Sequence, residues 1–408
     1  MDKITNWLNN TLTPFTNKIS RNIWIQSIQN AIMLSLPMIF VGSLISVLGL
    51  FKNIWSGMPD LSPINQFSFG IFSLFIAFLL PYQIMEKKKQ SKKKILAGFS
   101  SLGLFLMLIG IEFTEQGALF DFNRLGATGM LVAIFSGILV SIIMNLFSKF
   151  SFFGEDSPIP EIVTSWFDNM LPISFILFIG YILVYLIGFD FFQLVVTIFT
   201  PITSFAQTLP GFVAICFFPV LIYSFGISSW IITPVTFTIC LGAIAANTAA
   251  VANGLPATNI TTFEVIYCGW VFIGGQGGTL PLNLLMLRSK SEKLRAISRA
   301  TVVPSIFNIN EPFVFGTPIA WNPILMIPMW INSLTVPTIV YIVLNRGFVA
   351  IPDTLFTMYN LPQPISTWLV SPGLAGLILY VAMFALLTIT WYPFFKIYDS
   401  QCLKEEMA

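Results

Sequence analysis

Ten stretches of the chain, about residues 27–50, 66–85, 95–112, 126–148, 170–188, 211–227, 230–251, 265–287, 323–345 and 372–394, are apolar and nearly free of charge. A helix needs about 20 such residues to cross the hydrocarbon core of a bilayer. Composition agrees: 56% of the 408 residues are hydrophobic and 9% are charged, against about 25% charged in soluble domains. The chain reads as an all-α integral membrane protein of about ten transmembrane helices. Its longest polar stretches are roughly 20 residues, too short to bury a core of their own, so no separate soluble domain is expected.

Basic residues sort by side. With a cytoplasmic N-terminus, seventeen of the 20 Lys and Arg fall in inside loops, and only Lys52, Arg124 and Arg346 fall outside. Both termini are then cytoplasmic. The basic loop 288–299 and the basic C-terminal tail must share a side, and spans 323–345 and 372–394 already supply an even number of crossings. Residues 300–321 therefore cannot cross. They hold Pro304, Asn308, Asn310, Glu311, Pro312 and Pro318, and irregular backbone at membrane depth is tolerated only inside protein or beside a wet cavity. The segment predicts a re-entrant hairpin entering from the cytoplasm. "YNLPQPISTWLVSPG" (359–373) reads as a second such dip, from the outside.

The N-terminus lacks the apolar core and cleavage site of a signal peptide. Ile4, Trp7, Leu8, Leu12 and Phe15 recur at helical spacing and predict an amphipathic helix on the membrane surface. The four cysteines have no paired spacing and read as packing residues. With no histidine in the chain, histidine-based metal sites and Ser-His-Asp triads are excluded. No metal or cofactor is expected. The Lys-rich run "EKKKQSKKK" (86–94) reads as a solvated loop that attracts anionic lipid at most; it is no sign of nucleic-acid binding.

Glu311, in "IFNINEPFVFGTPIAWNP" (306–323), poses the chemical question. A carboxylate at membrane depth is costly unless partnered or used, and no Lys or Arg lies within ten residues. It can serve as a proton site, a cation site or a hydrogen-bonding site for a neutral polar solute. The flanking amides Asn308 and Asn310 favour the solute, because amides and carboxylates together match hydroxyls that both donate and accept. Capping of a half-helix by Glu311 is the structural alternative.

In "GWVFIGGQGGTLPLN" (269–283), the four glycines around Gln276 interrupt an apolar span. Gly275 and its neighbours permit either close helix packing or a broken helix, and broken helices at mid-membrane are typical of transporter binding sites. A phosphate loop is excluded, because no Gly-Lys-Ser/Thr follows. "ANTAAVANG" (246–254) brings Asn247 to a span end, as a turn or as a site contributor.

These residues carry a resemblance. "FNINEPFVFGTPIAWNPILMIP" and the run from Trp270 to Pro323 resemble the signature of the membrane subunit, enzyme IIC, of the lactose/cellobiose/diacetylchitobiose class of bacterial phosphotransferase systems. "MLSLPMIFVGSL" (33–44), "NTAAVANG" and the chain length fit in order. The resemblance implies one IIC domain over 1–408 with no IIA or IIB domain. About residues 1–200 would build a homodimer interface and about 201–408 the sugar site. It implies a disaccharide or β-glycoside substrate, with phosphoryl transfer to its 6-hydroxyl from a phosphocysteine on a separate IIB protein served by IIA. Glu311 matches the glutamate that hydrogen-bonds the sugar, and Asn308, Asn310, Gly275, Gln276 and Asn247 lie in the matching segments.

Two positions depart from the pattern. Family members usually read F-G-I-H-G; here "FGISS" places Ser228 at the histidine. They often read V-P-W-T-T-P; here "LPQPIS" places Gln363 at the tryptophan. Gln29 and Asn30 likewise stand where charged residues are usual. These departures fit an altered sugar preference. They also leave a second reading open: a non-transporting or degenerate IIC-like sensor or receptor.

Overall fold

In a computed structural model of the chain, the described residues are 22–50, 57, 59–153, 159–226, 229, 232–317 and 319–407. The amphipathic segment expected before residue 22 and Ser228 lie outside them. The described residues fall into two compact units, one drawn from Met1–Gly42 and Leu61–Pro201, the other from Ser43–Asp60 and Ile202–Ala408.

In the first unit, α1 (Ile23–Leu50, which continues into the second unit) is followed by α2 (Ser62–Gln66), α3 (Phe72–Lys87), α4 (Lys94–Leu108), α5 (Met130–Leu146), α6 (Glu161–Tyr181) and α7 (Phe191–Ala206). A two-stranded antiparallel ribbon, β1 (Glu112–Thr114) and β2 (Gly117–Leu119), lies between α4 and α5. Helices α3, α4 and α5 pack closely because small residues stand at their contacts. A Cβ on Gly98 would come within 2.5 Å of the Phe78 ring, and one on Gly137 within 2.9 Å of Leu80. Ser101 and Ser136 hydroxyls meet at 3.1 Å. In lipid, where burial gives helices no drive to associate, such close approach and interhelical hydrogen bonds hold them together. The Lys-rich run is the tight connection between α3 and α4.

The second unit contains α8 (Leu209–Ser224), α9 (Thr233–Ala252), α10 (Leu280–Met286), α11 (Glu292–Ile306), α12 (Glu311–Gly316), α13 (Pro323–Asn345), α14 (Gln363–Val370) and α15 (Leu374–Met407). Most begin with proline in the first two positions, where the missing N–H costs nothing. At 34 residues, α15 is about 50 Å long. That exceeds the ~30 Å hydrocarbon core, and its last turns, Lys404, Glu405 and Glu406 among them, are polar.

Among the described residues, seven helices are long and apolar enough to span, or eight if α7 and α8 count together as one broken span. Ten were expected, and the difference lies in two segments. Helix α4 has only 15 residues. Residues 265–287 form no continuous helix: a π-helical turn (Glu264–Gly269) gives way to irregular backbone and then to the seven-residue α10. Gly274, Gly275, Gly277 and Gly278 all have positive φ, which continuous helix does not allow.

Candidate functional site

The irregular backbone is held from two sides. Asn308, itself at φ 60°, accepts from the Gly274 N–H at 2.9 Å and donates to the Tyr359 carbonyl at 2.7 Å. Asn310 donates to the Gln276 carbonyl at 2.9 Å and to the Thr279 hydroxyl at 3.0 Å. The fit is close: a Cβ on Gly275, whose φ is 96°, would fall 2.4 Å from Asn310 Cγ. Behind the loop, the Trp391 indole donates to the Gly278 carbonyl and the Trp270 indole to the Gly376 carbonyl, each at 2.8 Å. Irregular peptide groups at this depth are thus satisfied by protein, as the absence of water requires.

Three segments therefore converge: the glycine loop 274–279, the tip of the α11–α12 hairpin, and residues 359–363 leading into α14. The hairpin is the one the charge count demanded. Helices α11 and α12 fold back on each other at Asn308, and the start of α11 is hydrogen-bonded to the last turns of α15. The basic loop and the C-terminal tail thus share one end of the unit.

Glu311 opens α12 at the hairpin tip. Its side chain is exposed, while Phe313 and Val314 behind it are fully buried. Among the described residues it makes no ion pair and accepts no hydrogen bond. Capping by its carboxylate is thus not what the structure shows; Asn310 is the N-cap residue, without a side-chain cap bond. Two tyrosines stand by the hairpin: Tyr223 meets Phe315 of α12 edge-on at 5.8 Å, and the Tyr359 carbonyl takes the Asn308 amide at 2.7 Å. The Tyr223 hydroxyl is buried with no hydrogen-bond partner among the described residues. Next to Tyr359 stands an aromatic stack: Phe263 lies 4.5 Å from Tyr267 with planes 16° apart, and meets Tyr359 edge-on at 5.8 Å. The Gln276 Oε1 is buried without a hydrogen-bond partner among the described residues.

Gln363 begins α14 and is 2% exposed, yet neither atom of its amide has a partner among the described residues. Asn247 is the opposite case. It donates to the Asn259 and Pro352 carbonyls, both at 2.9 Å, and accepts from the N–H groups of Thr258 and Asn259 and from the Asn259 amide. All its bonds go to loops, and none to the Glu311 cluster. The neighbourhood of Ser228 is described only by Gly226, at φ 72°, and the buried Ser229. Sequence reasoning missed the tyrosines. Tyr223 lies in an unbroken apolar helix, where nothing in the pattern separates it from packing residues; Tyr359 opens the quoted dip but was passed over for its prolines.

A carboxylate without an ion pair offers acceptors, and the phenols and amides of the same segments both donate and accept, beside an aromatic wall. It has no local cation to neutralise and no cluster of acids to hold a metal among the described residues. Such a set suits a neutral, hydroxyl-rich solute held between broken helices of a membrane carrier.

Comparison with known proteins places the chain. The profile of the phosphotransferase system EIIC family matches residues 29–333, and the chain belongs to that family. Two relatives from Bacillus subtilis (strain 168) are similar over the whole chain. The putative permease IIC component YwbA is 29% identical, with 98% of its length covered, and the lichenan permease IIC component is 28% identical, with 96% covered. The fold is that of the crystal structure of the transporter ChbC, the IIC component of the N,N'-diacetylchitobiose-specific phosphotransferase system. The TM-score is 0.87 at 24% identity, over 98% of this chain and 99% of that one.

Proposed function

We propose that this chain carries a disaccharide or β-glycoside across the bacterial membrane and releases it to a separate IIB protein for phosphorylation. The carrying observation is Glu311, an acidic side chain exposed at a hairpin tip and without an ion pair among the described residues. A sugar hydroxyl donating to a carboxylate makes one of the stronger hydrogen bonds available to a neutral ligand. Tyr223, Tyr359 and Gln276 complete the polar side, and the Phe263–Tyr267 stack offers the apolar face that a pyranose needs. Gly275, Asn308 and Asn310 frame the site. Ser228 and Gln363 replace a histidine and a tryptophan, and alter the preference among sugars. In the transfer, the phosphocysteine S–P bond on IIB breaks as an O–P bond forms to the 6-hydroxyl, whose proton leaves. The tail of this chain carries Cys402, buried and without a phosphate-cradling loop, which supports a donor on another chain. Both termini are cytoplasmic in this reading, and the first unit forms a homodimer interface.

The test is uptake of a panel of radiolabelled glycosides by cells with and without a cognate IIB protein. Uptake of at least one disaccharide, dependent on IIB and nearly abolished by Glu311→Gln in a protein still inserted, is expected. Equal uptake by the variant would remove Glu311 from the site. No uptake of any glycoside would favour the sensor alternative.

A further inference from the structure

The start of α11 is held by carboxylates from another helix. The first amides of a helix lack intrahelical partners, and Ser291 caps one of them by accepting from Leu294 N at 3.2 Å. Glu406 takes two more, from Glu292 N at 3.1 Å and Lys293 N at 2.9 Å, and also accepts from the Ser291 hydroxyl at 2.5 Å. Asp399 accepts from Lys290 N at 3.0 Å, Ser291 N at 3.1 Å and the Ser289 hydroxyl. Asp399 and Glu406 stand seven residues apart on α15, two helical turns, and so share one face. Asp399 is 6% exposed and makes no ion pair among the described residues. Its carboxyl oxygens are met by these N–H and O–H donors.

Further along α11 the attachment continues. Asn283 of α10 accepts from Ser298 at 2.8 Å and donates to Thr301 and Ser305 at 3.1 and 2.8 Å, all buried. Two residues after α11 ends, Asn308 grips the glycine loop. The helix is thus a strut held at its start, along its length and just past its end, and Glu311 follows at the start of α12. Ser291 caps only one of the orphan amides, and the acceptors for the next two come from α15, more than a hundred residues downstream, so the same bonds that cap α11 also fix it to α15.

We propose that Asp399 and Glu406 are positioning residues for the Glu311 site: the C-terminal helix sets the depth and rotation of α11, and through it the hairpin tip. This rests on Glu311 being the sugar ligand. Asp399→Ala and Glu406→Ala remove the acceptors; Asp399→Asn and Glu406→Gln keep an acceptor oxygen in place. The readout that needs no sugar is amide hydrogen exchange of the purified, detergent-solubilised full chain. In the alanine variants, exchange is expected to rise about tenfold not only at 290–294 but also at 307–311, and the amide variants should restore most of the protection. A rise confined to 290–294 overturns the proposal. The second readout is uptake of whichever glycoside the wild type transports: apparent KM should rise several-fold in the alanine variants with little change in maximal rate. A matching fall in inserted protein with KM unchanged would mean that the contacts serve stability only. If the wild type transports no glycoside, the sugar reading fails on its own, and the exchange experiment still decides whether the two ends of α11 are coupled.

Discussion

Asn308 and Gly274, 34 residues apart, are joined by a 2.9 Å hydrogen bond from the glycine amide to the asparagine side chain. The other end of the same side chain reaches the Tyr359 carbonyl. One amide group therefore ties together the three segments that converge at the candidate site.

Asn308→Ala should accordingly act on more than one element. It leaves a buried N–H and a buried carbonyl unsatisfied, at about 1–3 kcal/mol each, and puts alanine at φ 60°, a further ~1–2 kcal/mol. The thermal midpoint in detergent should fall by several degrees, and sugar uptake should drop with it. Asn308→Asp keeps the acceptor for Gly274 but turns a buried carboxylate oxygen onto the Tyr359 carbonyl, so it should be at least as destabilising as alanine.

Gly275→Ala tests the close approach. The new methyl carbon would sit 2.4 Å from Asn310 Cγ, on backbone with φ 96°. Neither neighbour can yield without breaking the Asn310 bonds to Gln276 and Thr279. The variant should be poorly folded or inactive, measured by yield of monodisperse protein and by uptake. Gly254→Ala, also at positive φ but with open space around it, should cost only the backbone strain of about 1–2 kcal/mol.

Gln363→Leu separates two roles. Replacing a buried, unpaired amide with an apolar group of similar size should stabilise the chain by about 1–2 kcal/mol, seen as a raised midpoint. If the amide also meets the sugar when α14 shifts, the same variant should raise KM across the glycoside panel. A raised midpoint with an unchanged substrate profile would make Gln363 a packing position.

Asn247→Ala should lower stability without changing sugar preference. It strips the Thr258 and Asn259 amides of their acceptor and the Pro352 carbonyl of its donor, a loss of about 2–4 kcal/mol. Thermal unfolding should register it, while the ratio of uptake rates between two glycosides should stay as in the wild type.

Much of this was legible in the residues. Charge sidedness alone forced 300–321 to fold back, and the α11–α12 hairpin does so. Apolar length located most of the helices. What hydropathy could not show is that 265–287 breaks: Val271, Phe272, Ile273 and Leu280 keep the average high while glycines decide the backbone. Nor could spacing separate the duties of three asparagines. Asn308 and Asn310 spend their amides on the loop and Asn247 spends its amide elsewhere, because partners 34 or 105 residues away leave no local trace. Glu311 stood out for a simple reason: its charge had no near neighbour to explain it.

The order of synthesis gives the glycine loop one more consequence. Gly274 and Gln276 leave the ribosome well before the asparagines that satisfy their peptide groups, and Gly278 waits for Trp391 over 113 residues. At about 5–20 residues per second, those groups stay open for seconds. The nascent segment must wait in the translocon or in water, and a chain stalled before Asn308 would be left with a wound in its interior that its own later residues are built to close.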